Sequence, residues 1–360
     1  MKHSGEPFVR VVKKAELSGG KLALFSFGAL FLAILVGGVF VLLLGKNPFA
    51  VYQSIFLGAF RSPLAIQGTI KIAVPLLISS LAITLAFKMK FWNIGAEGQI
   101  IMGGFFASYF ALFYDGLPHV LLILVMLVAG MVGGGLWGLI PAFFKSKFGT
   151  NETLFTLMLN YIALYLIKYL TEGPWRDPSS SGFPKIATFS QNAQLDKVLG
   201  VHAGWIIALV LVVFVFIYLR YTKQGYEITV VGESENTARY AGMNVGKIVM
   251  RTMFLSGAIC GIAGMTQATG AAYTLSEGIA GGVGFTAIIV AWLARLNPFF
   301  AVVFTMFLSV LQKGSSVMQS AFGLSTYVSD VLQGIILFVI LGVDFFTQYK
   351  LIFRGGHKND

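Results

Sequence analysis

From Leu22 to Leu44 the chain carries a single polar side chain, Ser26, and no charge. A helix needs about 20 apolar residues to cross the ~30 Å hydrocarbon core of a bilayer, and this run is long enough. Runs of the same kind recur along the chain. They predict an all-α, polytopic membrane protein with about ten transmembrane segments, some short or broken, at roughly 22–45, 63–87, 99–114, 119–144, 153–170, 204–220, 252–272, 283–296, 299–318 and 327–343. The third and eighth are short and flanked by glycine, which fits a re-entrant or broken helix as well as a simple span. Between the first two, Phe49, Tyr52, Ile55, Phe56 and Phe60 fall at helical spacing. They are read either as an interfacial helix on the outer face or as a plain aromatic anchor.

Composition agrees with a membrane solvent. Of 360 residues, 56% are hydrophobic and 11% charged, whereas soluble domains carry about 25% charged residues. The net charge of +11 does not point to nucleic acid, because the basic residues sit in short loops between apolar runs. With the N-terminus in the cytoplasm, 18 of the 26 Lys and Arg fall on inner segments. That bias supports cytoplasmic N- and C-termini and an even number of crossings. The expected organisation is a cytoplasmic N-terminal tail (1–21), a transmembrane domain (22–345) and a cytoplasmic C-terminal tail (346–360). The first apolar run is too long for a signal-peptide core and has no small-x-small site after it, so it reads as an uncleaved first helix. The lone Cys260 lies in an apolar run and offers neither a disulfide within the chain nor a metal cluster.

Two connections are longer than a link requires. Residues 171–203, expected outside, hold Pro174, Trp175, Pro178, three serines and Pro184. Residues 221–251, expected inside, contain Ser234, which suits the cap of a short helix from Glu235 to Ala241, with Glu233 and Glu235 at its start, Arg239 near its end and Gly242 as its stop. Two turns of helix are marginal alone in water, so this one is expected to pack on the membrane domain or on a partner.

Polar residues inside the apolar pattern are the candidates for function. Asn93-Ile94-Gly95-Ala96-Glu97-Gly98-Gln99 places three polar side chains and two glycines between apolar helices. Non-helical backbone at membrane depth requires burial in protein or a water-filled cavity, so the segment reads as a broken helix beside the pathway or as a cytoplasmic turn in which Glu97 pairs with a lysine. Asn151 and Glu152 suit the cap and first turn of the next helix. Thr153, Thr156 and Asn160 share one face, serving either to join helices or to line a path. Gly257, Gly261 and Gly264 suit close helix packing, and Gln267 beyond them is the better pathway candidate. A second glycine-rich break with one carboxylate, Glu277, follows at 276–285. Paired breaks in the two halves point to a central site.

No P-loop, no H-E-x-x-H and no Ser-His or Cys-His set is legible, so neither catalytic nor metal-ligating residues are expected. At this point the residues resemble a family. Asn93 through Gln99, Asn151-Glu152-Thr153-Leu154, the helix Met158-Leu159-Asn160-Tyr161-Ile162-Ala163, and Gly232-Glu233 through Asn236, Ala238 and Ala241-Gly242-Met243 resemble permease subunits of bacterial ATP-binding-cassette importers. The branch is the one serving sugars, branched-chain amino acids and nucleosides, and the match is most like nucleoside permeases working with a basic-membrane-protein-type lipoprotein. The resemblance covers roughly residues 60–345. It implies a multi-pass subunit of the bacterial cytoplasmic membrane, in contact with lipid, with no nucleic acid partner. It further implies a second permease chain, identical or different, an ATPase carrying ATP and Mg, and a substrate-binding lipoprotein. Residues 221–251 become a coupling loop, with Glu233, Glu235, Asn236, Arg239, Tyr240 and Gly242 as ATPase-coupling residues. Asn93, Glu97, Gln99, Asn160 and Gln267 are expected along the pathway of a small neutral solute. A simple-sugar permease and a stand-alone ion-coupled transporter remain as alternatives, the latter having no need of the capped helix.

Overall fold

The computed structural model describes residues 9–13, 19–325 and 327–353. Lys2, Lys14, Arg354 and Lys358, which the inside-positive reading counted, lie outside the described residues. Chain order runs β1 (Val9–Lys13), α1 (Gly19–Leu43), α2 (Pro48–Phe60), α3 (Pro63–Lys88), α4 (Ala96–Phe113), α5 (His119–Phe148), α6 (Glu152–Glu172), β2 (Lys197–Val198), β3 (Val201–His202), α7 (Gly204–Tyr221), α8 (Lys223–Glu233), α9 (Glu235–Tyr240), α10 (Val245–Thr266), α11 (Val283–Leu293), α12 (Pro298–Phe322), α13 (Tyr327–Gln348) and β4 (Tyr349–Phe353). A π-helical turn, Gln267–Ala272, extends α10.

The protein is an all-α polytopic membrane protein. Among the described residues, α3, α5, α6, α7, α10 with its π turn, α12 and α13 are long and apolar enough to cross a bilayer, and α1 with α2 makes an eighth if the pair counts as one span. The expected third and eighth segments are α4 and α11, and neither is a plain span. The first turn of α4 holds Glu97 and Gln99, and α11 has 11 residues, about 16 Å of helix.

One compact unit comprises the described residues up to 58 and from 311 onward. Gly45, at φ +71°, ends α1. Asn47 Oδ1 then accepts from Phe49 N at 3.0 Å, and Pro48 at the first helical position loses no hydrogen bond there. These local signals turn the chain by 111° into α2. The Tyr52 hydroxyl donates back to the Ile34 carbonyl at 2.8 Å, fixing the bend. β1 and β4 pair antiparallel, Val9 opposite Phe353 and Lys13 opposite Tyr349. Both ends of the described chain therefore lie side by side.

The other unit is residues 59–310. Its centre is α3 and α10, whose most apolar windows are 83% and 78% buried, against 33% and 28% for α6 and α7. α10 packs on α5, α4 and α3. Close approach is achieved by glycine: a Cβ on Gly261 would fall on the Gly130 carbonyl, and one on Gly134 would fall on the Gly257 carbonyl. With no hydrophobic drive between helices in lipid, such van der Waals contact and buried hydrogen bonds hold them together. Ser256 Oγ supplies one of those bonds, donating to the Ala82 carbonyl of α3 at 2.7 Å.

The long connection 171–203 is ordered by the end of α10. Backbone carbonyls freed where the π turn stops accept from it, Thr269 O from Leu195 N at 3.1 Å and Tyr273 O from Phe189 N at 2.8 Å. Trp175 stacks on Phe105 of α4 with centroids 5.1 Å apart. The β2–β3 hairpin buries His202 against Gly204 and Gly270.

Candidate functional site

The break between α3 and α4 is built from side-chain amides. Lys90 adopts φ +58° and the chain leaves helix until Ala96. Backbone groups of such a stretch that are buried in protein must find partners there. Asn160 of α6 supplies two bonds: its Nδ2 donates to the Ile94 carbonyl at 2.9 Å and its Oδ1 accepts from Gly98 N at 2.9 Å. Thr156, one turn earlier, accepts from Ile94 N at 3.2 Å and donates to the Glu152 carbonyl at 2.7 Å. Asn93 Oδ1 accepts from Gly95 N at 2.9 Å, and the Asn93 and Gln99 amides exchange bonds at 3.2 and 3.4 Å. Asn93, Gln99, Thr156 and Asn160 are all buried. Thr156 and Asn160 of α6 thus bond the break directly, and Gln99 bonds it through Asn93.

Glu97 has a different partner from the lysine that a cytoplasmic turn would give it. Its two oxygens accept from Gly282 N at 2.7 Å and Gly284 N at 2.8 Å, at the start of α11. The two glycine-rich breaks anticipated from the sequence therefore meet, one capping the other. A carboxylate at a helix N-terminus is favoured by both the free N–H groups and the helix dipole, and a glycine at 284 is required because a Cβ there would overlap the Glu97 backbone. Gln267, the first residue of the π turn, is half-buried, and its side-chain amide has no hydrogen-bond partner among the described residues. Of the five pathway candidates, it alone keeps its amide available.

The loop helix follows its sequence signals. Ser234 Oγ accepts from Thr237 N at 3.2 Å, α9 runs from Glu235 to Tyr240, and Gly242 follows at φ +75°. Glu235 and Arg239 form an exposed i,i+4 pair at 3.8 Å, and Tyr240 is 93% exposed. α8 anchors this helix to the membrane unit, with Arg251 of α10 bonded to Glu227 at 2.9 Å and Gly232 against the Lys88 carbonyl. At the base of α6, Asn151 Oδ1 caps Leu154 N at 3.1 Å and Glu152 pairs with Lys145 at 2.8 Å.

Residues 65–341 match the family described as branched-chain amino acid transport system / permease component. The chain belongs to this family. It is 31% identical to the glucose ABC transporter permease protein TsgB13 of Haloferax volcanii, over 89% of this chain and 87% of that protein. Identity to the guanosine ABC transporter permease protein NupP of Bacillus subtilis is 30%, over 87% and 91%. Identity to the nucleoside ABC transporter permease protein NupB of Lactococcus lactis is 28%, over 90% and 91%. The permease is accordingly a multi-pass transport subunit of an ATP-binding-cassette system and not an enzyme, which leaves no place for a stand-alone ion-coupled transporter.

Sequence reasoning named the polar residues of the permease but not their pairings. Trp292, stacked on Trp92 with centroids 5.8 Å apart and both near Phe87, was missed. Its only signal was a tryptophan near the end of a short apolar run. His202 was missed as well: it is buried, and neither ring nitrogen has a partner.

Proposed function

We propose that the permease forms the pathway for nucleosides in an ATP-driven importer. The observation that carries the reading is its similarity, over about nine-tenths of its length, to permeases named for guanosine and for nucleosides. A neutral solute also suits a membrane unit whose carboxylate at the break, Glu97, is already bonded to two backbone amides. In this reading two permease chains, identical or different, enclose the pathway, and a substrate-binding lipoprotein delivers the solute from outside. An ATPase binds ATP and Mg and docks on the loop 221–251, with Glu233, Glu235, Asn236, Arg239, Tyr240 and Gly242 at the contact. This chain binds no cofactor of its own. Both termini face the cytoplasm. ATP-driven closure of the two ATPases draws the coupling loops together and opens the pathway outward. Gln267 contacts the passing solute.

Two measurements test this. Purification of the permease from native membranes is expected to bring an ATPase with it, and to lose it when Glu235 and Arg239 are both replaced by Ala. Uptake of labelled guanosine by cells carrying the system is expected to need ATP and to be competed by other nucleosides. Competition by glucose and not by nucleosides would overturn the nucleoside assignment in favour of the sugar reading, which the relative named for glucose supports.

A further inference from the structure

α11 is held in an unusual way. Its 11 residues cover about half the hydrocarbon core, and the chain that precedes it, 273–282, is not helical. One end of α11 is bonded to the Glu97 carboxylate through Gly282 N and Gly284 N. At the other end Trp292 lies against Trp92, with centroids 5.8 Å apart and planes 25° apart, and against Phe87 at 5.8 Å. Both attachments fall on one short stretch, residues 87–97, which is itself the break between α3 and α4. The aromatic end is the one nearest α8, because the Lys88 carbonyl next to Phe87 touches Gly232.

Both ends of α11 are also built to turn. Before it, Gly281 and Gly282 adopt φ +55° and +80°, and a Cβ on Gly278 or Gly282 would meet nothing within 4 Å, while Ile279 and Ala280 between them are buried. After it, Arg295 and Leu296 adopt φ +50° and +57°. Left-handed conformations at two successive residues bearing side chains are strained, and such strain concentrates at switch regions. A rigid rod between two bends, fastened by one carboxylate and one aromatic stack, has the form of a hinged element with a latch.

We propose that α11 is a moving gate of the transport pathway and that Glu97 is the latch that positions it. With the latch made, Trp292 rests on Trp92 and Phe87 and closes the end of the pathway nearer the loop helix α9. When Glu97 releases Gly282 and Gly284, α11 turns about 278–282 and 294–296 and the two tryptophans part. Glu97 is thus a positioning residue, acting on the solute through α11. The inference rests on the permease reading given above.

The test uses the purified complex with its own ATPase and binding protein in liposomes. In a Cys260→Ala background, Trp92→Cys and Trp292→Cys are combined and treated with a short bifunctional thiol reagent. Cross-linking is expected to be fast in one nucleotide state and at least several-fold slower in the other, comparing nucleotide-free with ATP–vanadate-trapped complex. The cross-link is expected to stop transport, with a cleavable reagent restoring it. Glu97→Gln keeps the side-chain shape but turns one accepting oxygen into an N–H donor facing a glycine N–H. Loss of a charge-assisted bond of this kind shifts the latch equilibrium roughly tenfold. This variant is therefore expected to lose the nucleotide dependence of cross-linking and to move fewer solute molecules per ATP. Should Glu97→Gln fail to fold, the cross-linking alone decides, because it leaves Glu97 in place. ATP-driven uptake that is indifferent to the cross-link would overturn the gate alone. A wild-type complex with no ATP-driven uptake would overturn the permease reading and the gate with it.

Discussion

Replacing Asn160 with Ala should destabilise the permease through the backbone it serves rather than through anything Asn160 loses itself. The side chain satisfies the Ile94 carbonyl and the Gly98 N–H, each at 2.9 Å, and lies 6% exposed. A buried polar group left without a partner costs about 1–3 kcal/mol, so two give about 2–6 kcal/mol. Ile94 is half-buried, which favours the lower half of that range. The expected fall in the unfolding midpoint in detergent is roughly 4–10 °C. Reversible unfolding in mixed micelles gives the free energy directly. Tyr161→Ala, at an exposed neighbour, serves as control and should change little. Thr156→Val removes the bond to Ile94 N, so its effect combined with Asn160→Ala should be non-additive, because both side chains hold one peptide segment. If Asn160→Ala stays within about 0.5 kcal/mol of wild type while transport falls, the amide serves the solute and the stitching argument is wrong.

Other consequences follow from the same geometry. Gly261→Ala places a Cβ on the Gly130 backbone carbonyl; overpacking typically costs about 1–3 kcal/mol or more, so folded yield should drop sharply, whereas Gly116→Ala, in open space, should be tolerated. Ser234→Ala removes the cap of α9 and should cost that helix about 0.5–2 kcal/mol, read as faster amide exchange at residues 235–240 with the membrane helices unchanged. Burial, with Lys71 nearby, pushes His202 down from 6.5 to about 4. The unfolded chain then binds a proton before the folded one does. Stability from this group is present above pH 6.5 and is lost as pH falls towards 4, by about 3 kcal/mol at most. An acid titration of stability in which His202→Ala keeps the same slope between these values would remove His202 as its cause.

The relation of sequence to structure differs from element to element, for physical reasons. Signals confined to a few neighbouring residues carried through. Ser234 and Gly242 bound α9 and Asn151 caps α6, because capping and turn chemistry act within one turn of helix. The membrane solvent was legible too, since apolar run length is a one-dimensional quantity. The break at 93–99 was visible as a place where polar residues and glycines interrupt an apolar pattern. What those residues bond to was not visible. The Asn160 contact with Gly98 spans 62 positions, and the Glu97 contact with Gly282 spans 185. Nothing local distinguishes an amide that lines a path from one that fastens a backbone. In the tertiary structure Asn93 and Asn160 bond that backbone, Gln99 bonds Asn93, and Glu97 caps a helix on the far side of the chain. The tertiary structure also decided which glycines must remain glycine, because Gly261 and Gly130 become neighbours only when α10 and α5 cross. The sequence by itself determined the solvent, the helices and their caps. Only the fold determined which polar groups are occupied, because in a bilayer every exposed backbone group takes the nearest partner that packing brings to it.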